Sequence, residues 1–364
     1  MRGVVAAGVT LLAVCSLGPH AQPRRLAEPE WVRQSPLDRP PQVPPRPSGD
    51  WLTVRPAGSV QDAFAAATKR IADGLPEVRA LLVVRHGRLV LERYFRGAGP
   101  ATLFNTKSVT KSVVSALVGI ALQEGRIRSL DDPISTWLSA DITDRAGPDV
   151  ARVTLRHLLT MTAGWRWQEN GPDTSAWLAS SNRVRFMLEQ PMDAPPGTRF
   201  NYSTGVAHLI SAILARATGL SAGDYARERL FTPIGARPGE WGRDPQGLNE
   251  GGSELHLSAR DMARFGLLFL NGGTWQGHPV VPRPWVLEST TPHGRVDYGY
   301  LWSYLPKEWG GPAVNALGYG GQVISLVSAA DALVVIASTS TDPQNPTMQL
   351  LRDDLLPVLS RLRD

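Results

Sequence analysis

The chain has 364 residues, of which 42% are hydrophobic and 20% charged, and its formal net charge is +5. That balance excludes a low-complexity or intrinsically disordered chain and suits one large domain or two smaller ones. The positive excess comes from scattered arginines, with no compact basic run interleaved with aromatics, which argues against a nucleic-acid partner.

The first residues, "MRGVVAAGVTLLAVCSLG", carry one basic side chain and then a short run of small and apolar ones. The run is too short to span a bilayer. It reads as an export signal over residues 1–21, and so predicts a periplasmic or secreted protein. Cys15, the only cysteine, also allows a lipoprotein signal and a lipid anchor, although Val14 is bulkier than the small residue expected before such a cysteine. Residues 22–50 read as a disordered tether, because "PLDRPPQVPPRPS" (36–48) holds six prolines and cannot supply a core. The folded domain is therefore expected over residues 51–364.

Within it, "LLVVRHGRLVLERYF" (81–95) has the pattern of a β-hairpin turning at His86-Gly87. Residues 107–123 place apolar side chains at 109, 113, 117, 120 and 121, a helical period that stops at Gly125. Further helical periods cover 153–161, 205–218 and 258–271. "QVISLVSAADALVVIASTS" (322–340) returns to strands about Ala330-Asp331, and a last helical segment, 347–362, is interrupted by Pro357. Strands at both ends with helices between them predict an α+β fold. Its antiparallel sheet would come from about 51–105 and 285–364, with a mostly helical region inserted at about 130–270.

Of 38 lysines and arginines only four are lysine, and two of those, Lys107 and Lys111, flank Ser108 in "FNTKSVTKSVV". Arginine stays charged at any working pH, whereas a desolvated lysine can give up its proton. Ser108 and Lys111 are three apart at a helix start, so their side chains share a face, where the dipole favours developing negative charge. A serine is a poor nucleophile until a neighbour removes its proton, which a neutral lysine can do. The S-x-x-K spacing alone is weak, since chance gives it about 0.3 times in a chain of this make-up.

More landmarks follow in order: "VTLRHLLTMTAGWRW", "PGTRFNYSTGVAHLISAILARATG", "LSARDMARFGLLFLNGGTWQG" and "LGYGGQVISLV". Together with "SVTKSVVSALVGIALQEGRIRSLDDPI" they resemble the serine β-lactamase and penicillin-binding-protein superfamily over about residues 60–345. The resemblance implies a β-lactamase/DD-peptidase-like fold and a catalytic group of Ser108, Lys111 and Tyr202. Either Lys111 or Tyr202 could be the base in acylation. The oxyanion hole would be the backbone N–H groups of Ser108 and Gln322, and Tyr319-Gly320-Gly321 would be the third motif, on an edge strand.

Departures from the family pattern narrow the activity. The second motif ends in Thr204 where many members have asparagine. Tyr319 stands where β-lactamases and transpeptidases carry the lysine that binds a substrate carboxylate, and Met161 where many relatives have histidine. The chain looks most like the esterase and 6-aminohexanoate-dimer hydrolase branch, which implies hydrolysis of a small ester or amide through an acyl-enzyme. No metal or cofactor is implied. β-Lactamase or D-alanyl carboxypeptidase activity, and a non-catalytic peptidoglycan- or peptide-binding receptor, stay open. Trp165 and Trp167 (with Trp177) are candidates to line an acyl cleft, and Asp173 to meet a substrate amine. Thr204, Tyr319, Gly320 and Gly321 complete the expected substrate contacts. No second carboxylate motif stands out. The chain has no H-E-x-x-H, and His86 and His157 read as turn and helix polar residues.

Overall fold

In the computed structural model the described residues are 51–56, 58–294, 296–305, 313–340 and 346–361. The apolar N-terminal stretch with Cys15 and the proline-rich tether lie outside them. Strands β1 (Val78–Arg85) and β2 (Arg88–Tyr94) form the expected hairpin. Its turn needs two left-handed residues to match the strand twist, and His86 and Gly87 supply φ of 50° and 67°. His86 sits there without glycine's freedom because it is clipped to a second turn. Its N–H donates to the Asp331 carbonyl at 2.9 Å, and its Nδ1 lies 2.8 Å from Asp331 Oδ2.

Two short pairs lie off the main sheet, β3 (Leu103–Asn105) with β4 (His256–Ser258), and β5 (Thr274–Trp275) with β6 (His278–Pro279). The last four strands are β7 (Ser303–Tyr304), β8 (Val314–Gly318), β9 (Gln322–Val327) and β10 (Ala332–Ser338). The six-stranded sheet runs β2-β1-β10-β9-β8-β7 and is antiparallel throughout. Strands from early and late in the described residues thus meet at its centre, where Leu82 faces Val335.

Both faces of this sheet are covered, which explains why β1 and β10 are apolar at nearly every position. Leu82, Val84, Leu333 and Val335 point into the larger core, shared with helices α2 (Val109–Gln123) and α4 (Ala259–Leu270). Leu81, Val83, Val334 and Ile336 point the other way, onto helix α1 (Ser59–Gly74) and the C-terminal helical segment. Each such side chain, fully buried, is worth about 1.5–3 kcal/mol. Among the described residues the regular structure between α2 and β4 is helical, and its longest helix is α3 (Thr204–Thr218).

Two expectations need correction. Pro357 does not interrupt the last helix. A π turn over Leu351–Leu355 joins Pro346–Leu350 to Leu356–Arg361, so the helical path continues past Pro357. Nor does the third motif lie on an edge strand. Tyr319-Gly320-Gly321 is the turn between β8 and β9, and β8 is itself paired with the two-residue edge strand β7.

Candidate active site

Ser108 is presented by a tight turn. The β3–β4 pair brings Phe104 against Leu257, and the Thr106 N–H and hydroxyl both bond the Leu255 carbonyl at 2.8 Å. Lys107 then takes a left-handed φ of 50°, with its N–H on Asn105 Oδ1 at 3.0 Å, and the chain enters α2 with Ser108 as its capping residue. That conformation is unfavourable for a residue with a Cβ, and the bonds on either side hold it. The two lysines around Ser108 have different fates. Lys107 is half-exposed and pairs with Glu254 at 3.2 Å, while Asn105 donates to the same carboxylate at 2.7 Å.

Lys111 is only 1% exposed. Its Nζ lies 2.8 Å from Ser108 Oγ, 3.0 Å from Thr204 Oγ1 and 3.0 Å from the Gly252 carbonyl. Burial this deep is possible because α2 is enclosed on all sides, with every residue from Val109 to Ala121 buried. Gly252 must be glycine to come so close, since a Cβ there would sit 2.7 Å from Thr204 Cγ2 and 3.1 Å from Lys111 Nζ. Its neighbour Gly251 passes α3 equally closely, where a Cβ would lie 2.2 Å from the Ala207 carbonyl.

Tyr202 precedes α3, whose start is fixed by Ser203 accepting from the Val206 N–H at 3.1 Å. The Lys111 Nζ stands 4.8 Å from the centre of the Tyr202 ring. Asn201 pins this segment by donating to the carbonyls of Trp165 (3.1 Å) and Trp167 (3.2 Å). Tyr298 packs edge-on against the Tyr202 ring at 6.3 Å. Burial pushes the Tyr298 phenol well above its ordinary range, with the nearby Tyr202 and Glu169 adding to the effect. Tyr298 is therefore a neutral wall beside the Tyr202 ring.

Glu169 is the residue that sequence reasoning missed. Its Oε1 accepts from the Thr204 hydroxyl at 2.5 Å, and its Oε2 accepts from the Thr204 N–H at 2.9 Å and Trp167 Nε1 at 2.6 Å. A carboxylate thus lies two hydrogen bonds from Lys111. No spacing rule marks a single glutamate in "GWRWQEN", and Gly251-Gly252 could be seen in the sequence only as a turn.

On the far side, the end of β8 closes on the turn that presents Ser108. A Cβ on Gly318 would meet the Thr106 carbonyl at 2.4 Å and Lys107 Cβ at 3.2 Å, so the end of β8 lies directly against the Ser108 turn. Gly318 pairs with Gln322, which sets the start of β9 beside the end of β8. The Gln322 side chain turns away and donates to the Ser338 carbonyl. Gly320 and Gly321 take φ of 79° and 84°, and Tyr319 between them and β8 is 51% exposed.

Two expected substrate contacts are placed otherwise. Trp165 and Trp167 are 2% and 6% exposed, so they pack in the core and do not line an open cleft. Trp167 lies against Gly205 and edge-on to buried Trp177 at 6.0 Å, and its polar edge is spent on Glu169. The Asp173 carboxylate accepts from the Gln168 N–H at 2.9 Å and so holds the loop ahead of the short helix Pro172–Ala179. His157 forms a reciprocal cap with Thr154 at the start of Leu155–Leu159, a helix-end role as read from the sequence. Among the described residues no group of three or more His, Cys, Asp or Glu side chains could hold a metal ion.

The family model for Beta-lactamase matches residues 68–356, most of the chain. The protein belongs to the β-lactamase family. Among curated relatives, the 6-aminohexanoate-dimer hydrolase of Paenarthrobacter ureafaciens is 26% identical over 338 residues, covering 83% of each chain. Esterase EstB of Burkholderia gladioli is 28% identical over 178 residues, 43% of this chain and 45% of the esterase. Among solved structures, a candidate 6-aminohexanoate-dimer hydrolase from Bacillus anthracis superposes with a TM-score of 0.72 at 22% identity, covering 88% of this chain and 90% of that one. These likenesses put the chain on the fold of β-lactamases and penicillin-binding proteins, among hydrolases that include an esterase and a 6-aminohexanoate-dimer hydrolase.

Proposed function

We propose that this β-lactamase-family protein hydrolyses small esters or short amides through an acyl-enzyme on Ser108. The observation that carries the reading is the buried Lys111 Nζ at 2.8 Å from Ser108 Oγ, with the Tyr202 ring beside it. Ser108 Oγ attacks the substrate carbonyl carbon and its proton passes to the Lys111/Tyr202 pair. The backbone N–H groups of Ser108 and Gln322 are the donors for the tetrahedral oxygen. Collapse breaks the ester or amide bond, and the pair returns the proton to the leaving alcohol or amine. Water, deprotonated by the same pair, then attacks the acyl-serine and restores the hydroxyl. Exposed Tyr319, in place of a carboxylate-binding lysine, supports neutral acyl groups over β-lactams and peptidyl-D-alanine.

The test is mass spectrometry after exposure to a fluorophosphonate, with turnover of p-nitrophenyl esters measured in parallel. The expected result is one covalent adduct on Ser108, with turnover lost in a folded Ser108→Ala variant. A wild-type protein that carries no adduct and turns over no ester would instead be a binding protein on this fold.

A further inference from the structure

Resting on the Ser108–Lys111 reading, we infer that Glu169 is a positioning residue that acts through Thr204 to aim the Lys111 lone pair at Ser108. A carboxylate can only accept hydrogen bonds, and Glu169 Oε1 lies 2.5 Å from Thr204 Oγ1. The single Thr204 hydroxyl proton is therefore committed to Glu169, and toward Lys111, 3.0 Å away, that oxygen can only accept. The Gly252 carbonyl, also 3.0 Å from Nζ, can only accept as well. A neutral lysine amine has two N–H bonds and one lone pair. Thr204 and Gly252 take the two N–H bonds. The lone pair is left facing Ser108 Oγ at 2.8 Å, the geometry required to receive the serine proton. Without the committed threonine proton, Thr204 could donate to the amine instead and occupy the lone pair.

The other carboxylate oxygen makes the device sensitive to a change of one atom. Oε2 accepts from two N–H groups, Thr204 N and Trp167 Nε1. A glutamine at 169 must turn its only oxygen to those two donors, so its NH2 faces Thr204 and donates to it. The Thr204 proton is then pushed toward Lys111, and the relay is inverted with no change in shape.

The experiment measures the second-order rate of fluorophosphonate labelling of Ser108 and kcat/KM for a p-nitrophenyl ester in four full-length variants. Glu169→Gln and Thr204→Val are expected to lose between about 10- and 100-fold in both readouts, in kcat more than in KM. The double variant should be no slower than the slower single one, because both changes remove the same constraint. Thr204→Ser, which restores the hydroxyl but not the methyl, should recover most of what Thr204→Val loses. A purely structural role predicts the reverse order, since valine keeps threonine's shape and serine does not. Labelled wild type with an unimpaired Glu169→Gln, multiplicative losses in the double variant, or a Thr204→Ser slower than Thr204→Val would overturn the inference alone. An unlabelled wild type would overturn both it and the hydrolase reading. Circular dichroism on each variant separates misfolding from slowed chemistry, and if Glu169→Gln does not fold, the Thr204 pair decides.

Discussion

The Lys111 side chain has its three oxygen neighbours at 2.8–3.0 Å and an aromatic ring on its remaining side. Each neighbour comes from a different part of the chain, so the nitrogen is held like a ligand and not like a surface cation. The role proposed for Tyr202 has two separable parts, a ring that walls the lysine and a phenol that exchanges a proton. Tyr202→Phe keeps the ring and its edge contact with Tyr298. We expect it to lose about 100- to 10,000-fold in kcat/KM for a p-nitrophenyl ester while its melting temperature stays near wild type. A variant with full activity would show that Lys111 handles the protons without the phenol. That Ser108, Lys111 and Tyr202 lie together could be read from spacing and motif. The place of Glu169 could not, because it reaches the lysine only through a contact with Thr204, 35 positions away, which no local pattern encodes.

Helix α2 shows how an element serves a site by being buried on every side. Its apolar period at 109, 113, 117, 120 and 121 predicts a helix, yet Thr110, Lys111, Ser112 and Ser115 are buried as well. Most find partners: Ser112 Oγ donates to the Leu301 carbonyl at 2.7 Å, and the Thr110 and Thr106 hydroxyls meet at 3.1 Å. Gly119 lets the helix seat itself, since a Cβ there would stand 2.2 Å from Trp285 Cγ. Two effects compete in Gly119→Ala. Alanine favours a helix interior by about 1 kcal/mol, but a methyl forced into an indole costs about 1–3 kcal/mol through overpacking. Contact at 2.2 Å decides for the second, so chemical denaturation should show net destabilisation, and a stabilised variant would mean that Trp285 moves aside freely. The sequence announced the helix but not this packing, because period reports which face is apolar and not what lies against it.

At the scale of the molecule, the hairpin from the start of the domain must be fastened to helices that arrive much later. The Glu92–Arg260 pair does this between β2 and α4, with Arg260 Nε and Nη2 on the two carboxylate oxygens at 2.7 and 2.9 Å and Tyr94 donating to Oε1 at 2.6 Å. Desolvation opposes ionisation of Glu92, but the hydrogen bonds from Arg260 and Tyr94 prevail and hold its carboxyl below the usual range. A depressed folded-state value gives stability that is present above the ordinary glutamate range and lost as pH falls through the lower folded value. The melting temperature of wild type should therefore fall more steeply than that of Glu92→Gln between about pH 5 and pH 3. Parallel curves would assign acid sensitivity to other carboxylates.

What the sequence by itself determined was the set of local relations. The hairpin at His86-Gly87, the helical period after Ser108, the Ser108–Lys111 face and the ordered family motifs each depend on residues close in sequence, where backbone geometry fixes who meets whom. Tertiary structure alone decided which polar groups share a dry space. It sent Trp165 and Trp167 into the core, tied Asp173 to its own loop, turned the third motif into a hairpin bend, and brought Glu169 and Gly252 to the lysine. Those outcomes depend on how loops cross between layers, and a loop's path is set by the packing of both elements it joins, not by its own residues.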